Sequence, residues 1–287
     1  MNIHIAGAGS GGKDDRIVER SRWLLESYHY AKKDNRCISF YRKHGKKMFC
    51  DSGAYSAHTQ GVSIDIDGYI DWTSRHMDVI HMIAALDVIG DPAASWDNFE
   101  YMIRKGVDAI PTYHFGEPFE YLLKMLDYPY IAIGGLVGAK RAQLQYWLDD
   151  IWDKYLIDGS GNPKVKVHGF GLTDSVLMFR YPWYSVDSTA WVLTSRFGSI
   201  FIDLPGAPNQ KVIISSQSPQ TKSLDKHYDT MAPYLREEIR KTVEAKGFHI
   251  DDLREKYWHR DMWNIEWFND KCDVEIPPFK KLEMGLF

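Results

Sequence analysis

The stretch Ile83–Tyr113, IAALDVIGDPAASWDNFEYMIRKGVDAIPTY, carries the pattern that decides the fold. An apolar run, Ile83–Asp87, ends in an aspartate and is followed by a turn. An amphipathic segment, Ala93–Lys105, comes next, and it follows Pro92, a residue common in the first turn of a helix. A second apolar run, Ala109–Tyr113, completes the stretch. A strand, a helix and a strand in this order predict a βαβ unit with parallel strands.

The same alternation continues through the first two thirds of the chain. The other predicted strands are Ile3–Ala6, Cys37–Tyr41, Lys47–Asp51, Tyr130–Ile133, Val165–Gly169 and Trp183–Asp187. The other predicted helices are Arg16–Lys32, Ile66–His76 with Asp65 as N-cap, Pro118–Leu126, Lys140–Tyr155 and Asp174–Phe179. Strands interleaved with helices predict an α/β protein, with a (β/α)8 TIM-type barrel over residues 1–198. A doubly wound open sheet is the alternative arrangement.

The pattern changes after Asp187. Ser199–Leu204 and Lys211–Ser215 are two short β-like runs, and a stretch with Pro, Gly and Asn joins them. This pattern predicts a hairpin with a loose turn. Met231–Ala245 predicts a helix. We therefore expect residues 199–287 to form a hairpin and helical extension packed on the barrel, so that the whole chain is one domain.

Composition restricts the class of protein. The chain has 287 residues, a hydrophobic share of 44%, and 35 Lys+Arg against 39 Asp+Glu, a net charge of −4. These values are typical of a soluble globular protein and argue against nucleic-acid binding through bulk charge alone. The three cysteines predict neither a disulfide framework nor a structural zinc site. The absence of a signal-like N-terminus or a long apolar run predicts a cytoplasmic protein with no membrane partner.

The N-terminal glycine run, Gly7–Gly12, matches the G-x-G-x-x-G fingerprint of dinucleotide-binding proteins. The acidic residue that should bind the cofactor ribose is not where it is expected, because Glu26 falls inside the predicted helix Arg16–Lys32. A flexible loop at the rim of a barrel is the alternative interpretation. The fingerprint nevertheless keeps an NAD(P)-dependent oxidoreductase open as a competing function.

Three predicted strands end in an aspartate, namely Asp51, Asp87 and Asp187. In a parallel barrel the active site lies at the carboxyl ends of the strands, so these side chains are expected to meet there. Paired carboxylates suit chemistry at an anomeric carbon, where one acts on the carbon and the other handles the proton of the leaving group. Helix capping and turn formation are the structural alternatives for each aspartate taken alone.

Two further features lie at strand ends. The glycine-rich segment Gly134–Gly138 offers backbone N–H groups that can bind a carbonyl or phosphate oxygen, and a tight turn is the alternative interpretation. His114 and His168 also follow strands and could be structural hydrogen-bonding residues. A metal centre built from His81, His114, His168 and the aspartates has no supporting spacing, so no metal is predicted.

Four of these segments resemble motifs of the tRNA-guanine transglycosylases. DSGAYS at Asp51–Ser56 resembles their DSGG(F/Y)Q motif, and GGLVG at Gly134–Gly138 resembles their GGLAVG loop. HGFG at His168–Gly171 resembles their MGVG turn, and VDS at Val186–Ser188 takes the place of their nucleophile strand. The order agrees from about residue 48 to residue 190. The family's three-cysteine, one-histidine zinc site and its PTRxxR segment are absent, so the chain is most similar to the zinc-less DpdA-type DNA 7-deazaguanine transglycosylases of phage and bacteria.

The resemblance implies an enzyme that exchanges guanine in nucleic acid, DNA rather than tRNA, for a 7-deazaguanine derivative such as 7-cyano-7-deazaguanine. Asp187 would be the nucleophile, Asp51 the general acid/base, and Asp87 the residue that recognises the base edge. The N–H groups of Gly135 and Leu136 would bind the carbonyl oxygen of the base. The target nucleotide must be flipped out or single-stranded.

The remaining expectations complete this picture. The other candidate substrate-binding residues are Gly134, His114, Tyr55, Ser52 and His168, and the candidate phosphate-binding residues are Lys46, Lys47 and Arg196. The expected partners are DNA, the free 7-deazaguanine base and accessory modification proteins, and no cofactor is needed. A tRNA-specific transglycosylase and a non-catalytic nucleic-acid-binding barrel remain as alternatives.

Overall fold

The computed structural model describes residues 1–9, 15–218 and 226–280, and its internal contacts divide the chain into two compact units. The first unit comprises Met1–Ser188 together with the residues from Asp273 onward, and the second comprises Thr189–Cys272. The division after Ser188 falls earlier than the predicted boundary after residue 198. The described residues after Cys272, which the sequence pattern places in the extension, belong to the first unit.

A parallel sheet forms the centre of the first unit. Its strands in the described residues are β1 (Asn2–Ala6), β2 (Trp23–Ser27), β3 (Met48–Asp51), β4 (Ile80–Ala84), β5 (Ala109–Ile110), β6 (Thr112–His114), β7 (Tyr130–Gly134), β8 (Lys166–Gly169) and β9 (Ser185–Ser188). They are hydrogen-bonded in the order β5-β4-β3-β2-β1-β9-β8-β7-β6. Because only Pro111 separates β5 from β6, the two ends of this order meet and the sheet is nearly closed. The predicted α/β class with a barrel-like parallel sheet is confirmed.

Helices connect most of these strands. They are α1 (Asp15–Arg20), α2 (Tyr28–Ala31), α3 (Asn35–Lys43), α4 (Ala54–Thr59), α5 (Ile66–Arg75), α6 (Pro92–Arg104), α7 (Phe119–Met125), α8 (Arg141–Ile151) and α9 (Ser175–Arg180), with a π-helical turn at Trp152–Leu156. Asp65 caps α5 as predicted, because its carboxylate accepts the Gly68 N–H at 3.0 Å. Asp91 caps α6 in the same way and accepts the Ala94 N–H at 3.0 Å.

The predicted helix Arg16–Lys32 is wrong. Helix α1 ends at Arg20, and strand β2 follows and pairs with both β1 and β3. Its residues Leu24 and Leu25 are buried. The apolar residues of this stretch happen to fit a helical spacing, but burial between two neighbouring strands overrides that local pattern.

The predicted strand Cys37–Tyr41 is also wrong, since it lies within α3. Asp34 caps this helix by accepting the Arg36 N–H at 3.1 Å. Cys37, Ile38 and Tyr41 are buried at the i, i+1, i+4 spacing of one helix face. Strand β4 begins and ends three residues before the predicted Ile83–Asp87, so Asp87 lies in the loop that follows it.

The interior of the sheet is apolar. One buried cluster takes a residue from each of six strands, namely Ala6, Leu25, Phe49, Ala84, Ile110 and Ala132. Phe170, in the loop after β8, packs against it. The large side chains of Phe49, Leu25 and Ile110 pack with three alanines, which gives a filled core rather than a pore. The loops after the strands are therefore supported from within by a packed layer.

The second unit contains an antiparallel hairpin, four α-helices and a short 3-10 helix, Tyr228–Thr230, among its described residues. The hairpin strands and α-helices are α10 (Ala190–Arg196), β10 (Ser199–Leu204), β11 (Ala207–Ile213), α11 (Pro233–Ala245), α12 (Ile250–Glu255) and α13 (Tyr257–Lys271). The predicted hairpin is confirmed with a tighter turn. Helix α13 is joined to β10 because Trp263 Nε1 donates to the Phe201 carbonyl at 2.6 Å and Asn264 Oδ1 accepts the Phe201 N–H at 2.9 Å. No helix in the described part of the chain is both long and apolar enough to cross a membrane.

Candidate active site

The three predicted aspartates lie at or just after the carboxyl ends of their strands, where Asp187 and Asp87 both act electrostatically on Asp51. Asp51 is the last residue of β3, Asp187 lies in β9, and Asp87 follows β4 by three residues. Burial, and after it the charges of Asp187 and Asp87, raise the pKa of Asp51 to about 7. The structure therefore brings these three residues into one acidic cluster, as the strand-end pattern predicts.

Asp187 is only 6% exposed. Burial raises its pKa to about 7, even though the hydrogen bond from the Gly171 N–H acts in the opposite direction. That N–H donates to Oδ1 at 2.8 Å, and His168 Nε2 lies 3.3 Å from the same oxygen. Within the described residues no group donates to Oδ2. Oδ2 is therefore the carboxylate oxygen left for a substrate.

His168 is fully buried, and its two ring nitrogens face different partners. Nε2 faces Asp187, while Nδ1 lies 2.6 Å from Ser185 Oγ. Ser185 Oγ is in turn 2.5 Å from the hydroxyl of Tyr130. Burial lowers the pKa of His168 to about 3, so its ring is neutral. Predicted as a substrate-binding residue, His168 instead contacts the predicted nucleophile.

His114 has a different environment, because it lies between two carboxylates. Its Nε2 is 3.4 Å from Asp87 Oδ2, and its Nδ1 is 3.1 Å from Glu117 Oε1. Burial alone would lower the pKa of His114, but the hydrogen bonds to Asp87 and Glu117 raise it to about 10. Sequence reasoning missed Glu117, although a His-x-x-Glu spacing just after a strand could have indicated the pair.

The glycine-rich loop packs tightly against this ion pair. A Cβ on Gly134 would lie 2.6 Å from His114 Cδ2. Gly135 has φ of +72°, and a Cβ there would lie 2.9 Å from the Phe115 backbone nitrogen. Both positions therefore require glycine. Within the described part of the chain, the N–H groups of Gly135 and Leu136 have no protein acceptor, so they are available to a ligand.

The segment after Asp51 forms a tight turn. The Gly53 N–H donates to Asp51 Oδ2 at 3.1 Å, which holds the carboxylate against its own turn. Gly53 has φ of +80°, and a Cβ there would lie 2.2 Å from Ser27 Oγ. Ser52 is buried, and its Oγ accepts the Ala54 N–H at 3.3 Å, so it supports the turn. The Tyr55 side chain is 59% exposed and is free to contact a ligand.

The predicted phosphate-binding lysines do not lie beside the aspartates. Lys46 and Lys47 precede β3, whereas Asp51 ends it, so the strand separates them from the acidic cluster. Lys46 Nζ donates to the Ser21 carbonyl at 2.9 Å and supports the turn before β2. Arg196 is exposed at the end of α10 in the second unit.

The glycine run at the N-terminus leads to another correction. Residues 10–14 lie outside the described residues, but Gly7 and Gly9 are described. Glu26 lies in strand β2 rather than in a helix, and it is 1% exposed. It accepts hydrogen bonds from the Gly9 N–H and, at 3.1 Å, from the Tyr41 hydroxyl. The carboxylate ties the first loop to α3 and is not exposed to a cofactor ribose.

No protein-family model and no curated protein matches this chain. In the described ranges, no three His, Cys, Asp or Glu side chains are grouped so that they could hold a metal ion.

Proposed function

We propose that this chain is a base-exchange transglycosylase that replaces guanine in DNA with a 7-deazaguanine derivative such as 7-cyano-7-deazaguanine. The observation that carries the proposal is the pair Asp51 and Asp187, two carboxylates with pKa values raised to about 7 at the carboxyl ends of parallel strands. If β5 and β6 count as one strand interrupted at Pro111, the fold is a (β/α)8 TIM-type barrel. Active sites of that fold lie at this edge of the sheet.

In the first step, Oδ2 of Asp187 attacks C1′ of the target nucleotide. The bond between C1′ and N9 of guanine breaks, and its electron pair leaves with the base. Protonated Asp51 gives its proton to the departing guanine, so that a neutral base is released. The product is a covalent ester between C1′ and Asp187, and Asp51 is left as a carboxylate.

In the second step, the incoming 7-deazaguanine loses its N9 proton to Asp51. Its N9 attacks C1′, and the ester bond to Oδ2 breaks with its electron pair returning to Asp187. Two displacements at one carbon retain the configuration. Both aspartates finish in their starting protonation states, so the exchange needs no further reactant.

The raised pKa values suit this cycle. It requires one proton on Asp51 and none on Asp187, which means that the pair shares one proton. Two buried like charges favour that state, because ionising the second carboxylate beside the first is unfavourable. The two groups titrate as a pair, so the rate of exchange should follow the pair's two apparent pKa values.

The neighbouring groups suit a guanine-like base. Guanine presents N–H donors and one carbonyl acceptor along its pairing edge. Asp87, held by protonated His114, can accept from the donors, while the N–H groups of Gly135 and Leu136 can bind the carbonyl oxygen. We retain tRNA as the second candidate substrate, since the same groups would recognise guanine in either nucleic acid.

The proposal is tested by a base-exchange assay. The protein is incubated with 7-cyano-7-deazaguanine and either duplex DNA, single-stranded DNA or tRNA, and the digested nucleosides are analysed by mass spectrometry. We expect a modified deoxyguanosine analogue from the wild-type protein and from Asp97→Asn, an exposed carboxylate of α6. A modified ribonucleoside would show that tRNA, rather than DNA, is the substrate. Absence of both products, with an active control enzyme, would overturn the proposal.

A further inference from the structure

A chain of hydrogen-bonding groups leads across the sheet to Asp187. Tyr130 begins β7, Ser185 begins β9, and His168 lies in β8, where it is in register with Ser185. The successive distances are 2.5 Å from Tyr130 to Ser185, 2.6 Å from Ser185 to His168 Nδ1, and 3.3 Å from His168 Nε2 to Asp187. Ser185 and His168 are fully buried.

We propose that His168 is a positioning residue for Asp187, and that Ser185 and Tyr130 select the His168 tautomer that carries its proton on Nε2. In this role His168 and the Gly171 N–H together hold Oδ1, so that Oδ2 alone is presented to the substrate. This inference rests on the proposed function, in which Asp187 Oδ2 forms the covalent bond.

The direction of the chain follows from counting donors and acceptors. A neutral imidazole donates from one nitrogen and accepts at the other. If Nε2–H donates to ionised Asp187, Nδ1 must accept, and the Ser185 hydroxyl supplies that proton. Ser185 Oγ can then accept from the Tyr130 hydroxyl. Every donor in this series of hydrogen bonds has an acceptor. The series as a whole stabilises the ionised form of Asp187.

The surroundings hold His168 neutral and fix its ring. Phe49 of β3 and Phe170 pack edge-on against the ring at centroid distances of 4.7 Å and 4.5 Å. His4 of β1 lies 5.6 Å away, and burial holds its pKa well below the usual range. His81 of β4 stacks on His4 at 6.0 Å, and burial lowers its pKa too. The titratable group facing Asp187 from β3 is Asp51.

Four variants separate positioning from a merely structural role. His168→Leu removes the donor to Oδ1, whereas His168→Gln keeps an N–H group at a similar reach. Ser185→Ala removes the selection of the tautomer, and Tyr130→Phe removes only the outermost hydroxyl. Each variant is first checked for folding by thermal unfolding. The rate of covalent-intermediate formation is then measured in a single turnover as a function of pH.

We expect His168→Leu to slow this step by about 100-fold, because a misplaced reacting group loses on that order. Ser185→Ala should reduce the rate of this step by about tenfold and Tyr130→Phe by less. His168→Gln should keep most of the wild-type rate. Nucleic-acid affinity should be unchanged throughout. The acid limb of the pH profile should move to higher pH in His168→Leu, because ionised Asp187 loses a donor. A folded His168→Gln as slow as His168→Leu, or a His168→Leu at the wild-type rate, would overturn the proposal.

A readout without activity separates this inference from the proposed function. The ¹⁵N shifts of the His168 ring in the wild-type protein report its tautomer directly at pH 9, where Asp187 is ionised. We expect the Nε2–H form, and a mixture of the two forms in Ser185→Ala. An Nδ1–H form in the wild type would refute the positioning role even if exchange were observed. An Nε2–H form in a protein without exchange activity would refute the proposed function alone.

Discussion

Two histidine–aspartate pairs at the same edge of the sheet have nearly the same separation, but the pKa values of their histidines are shifted in opposite directions. His114 Nε2 lies 3.4 Å from Asp87 Oδ2, and His168 Nε2 lies 3.3 Å from Asp187 Oδ1. The pKa of His114 is raised to about 10, whereas that of His168 is lowered to about 3. Burial alone lowers the pKa of His168, whereas the hydrogen bonds of His114 to Asp87 and Glu117 outweigh its burial. The second ring nitrogen faces the Glu117 carboxylate in one pair and the Ser185 hydroxyl in the other.

If the proposed function holds, the two pairs give histidine two different roles. The protonated His114 compensates the charge of Asp87, which suits a group that binds and orients a base. The neutral His168 leaves the charge of Asp187 uncompensated in a buried place, which suits a nucleophile. Burial and the partner of the second ring nitrogen, rather than the distance between imidazole and aspartate, distinguish the two histidines.

The largest effect is expected from removing the charge of Asp187. Asp187→Asn keeps the shape of the side chain but removes the nucleophile, so exchange should fall by at least about 1000-fold. Binding of nucleic acid should remain, since Oδ1 can still accept the Gly171 N–H. Single-turnover assays and binding titrations measure the two effects. Full exchange by this variant would show that Asp187 is not the nucleophile.

The compensated pair is tested by Glu117→Gln. His114 then keeps one carboxylate partner, so its pKa should fall and Asp87 should be held less firmly. We expect affinity for the free base to weaken by about tenfold, as for the loss of a charged hydrogen bond, with a smaller effect on the covalent step. NMR titration of His114 and the KM for the base provide the measurements. An unchanged His114 titration would mean that Glu117 does not control its charge.

The pH dependence of protein stability tests the raised pKa of Asp187. The pKa of Asp187 is raised from 3.8 to about 7 in the folded state. Its favourable contribution to the free energy of unfolding is therefore present below pH 3.8 and is lost as the pH rises through 7. Asp187→Asn should therefore be more stable than the wild type at pH 8, on the order of 1–3 kcal/mol. The difference should vanish near pH 4. Denaturant unfolding at both pH values tests this, and an equal difference at both would contradict it.

The smallest expected effect concerns the opposite edge of the sheet. Lys47 precedes β3, away from both histidine–aspartate pairs, so Lys47→Ala should leave the salt dependence of DNA binding unchanged. Loss of a phosphate contact would instead reduce the slope of log affinity against log salt concentration by about one. Binding titrations at several salt concentrations distinguish the two results. A reduced slope would restore Lys47 as a phosphate-binding residue.

The sequence predicted the features that are local. Alternating apolar and amphipathic segments indicated the parallel sheet, and aspartates at strand ends indicated the acidic cluster. The strand β2 was missed because Leu24 and Leu25 are buried by neighbours distant in the chain, and no local pattern reports that. The hydrogen bond between His168 and Asp187 likewise depends on the register of β8 against β9, which only the assembled sheet defines. His114 and Glu117 are only three residues apart, so their spacing after a strand could have predicted this pair.

The most direct test of the account is to trap the covalent intermediate. DNA is added without an incoming base, the reaction is stopped by denaturation, and peptides are analysed by mass spectrometry. We expect a nucleic-acid fragment attached through its sugar to Asp187 in the wild-type protein, and no such adduct in Asp187→Asn. An adduct on Asp51, or exchange that proceeds with no adduct on any aspartate, would contradict it.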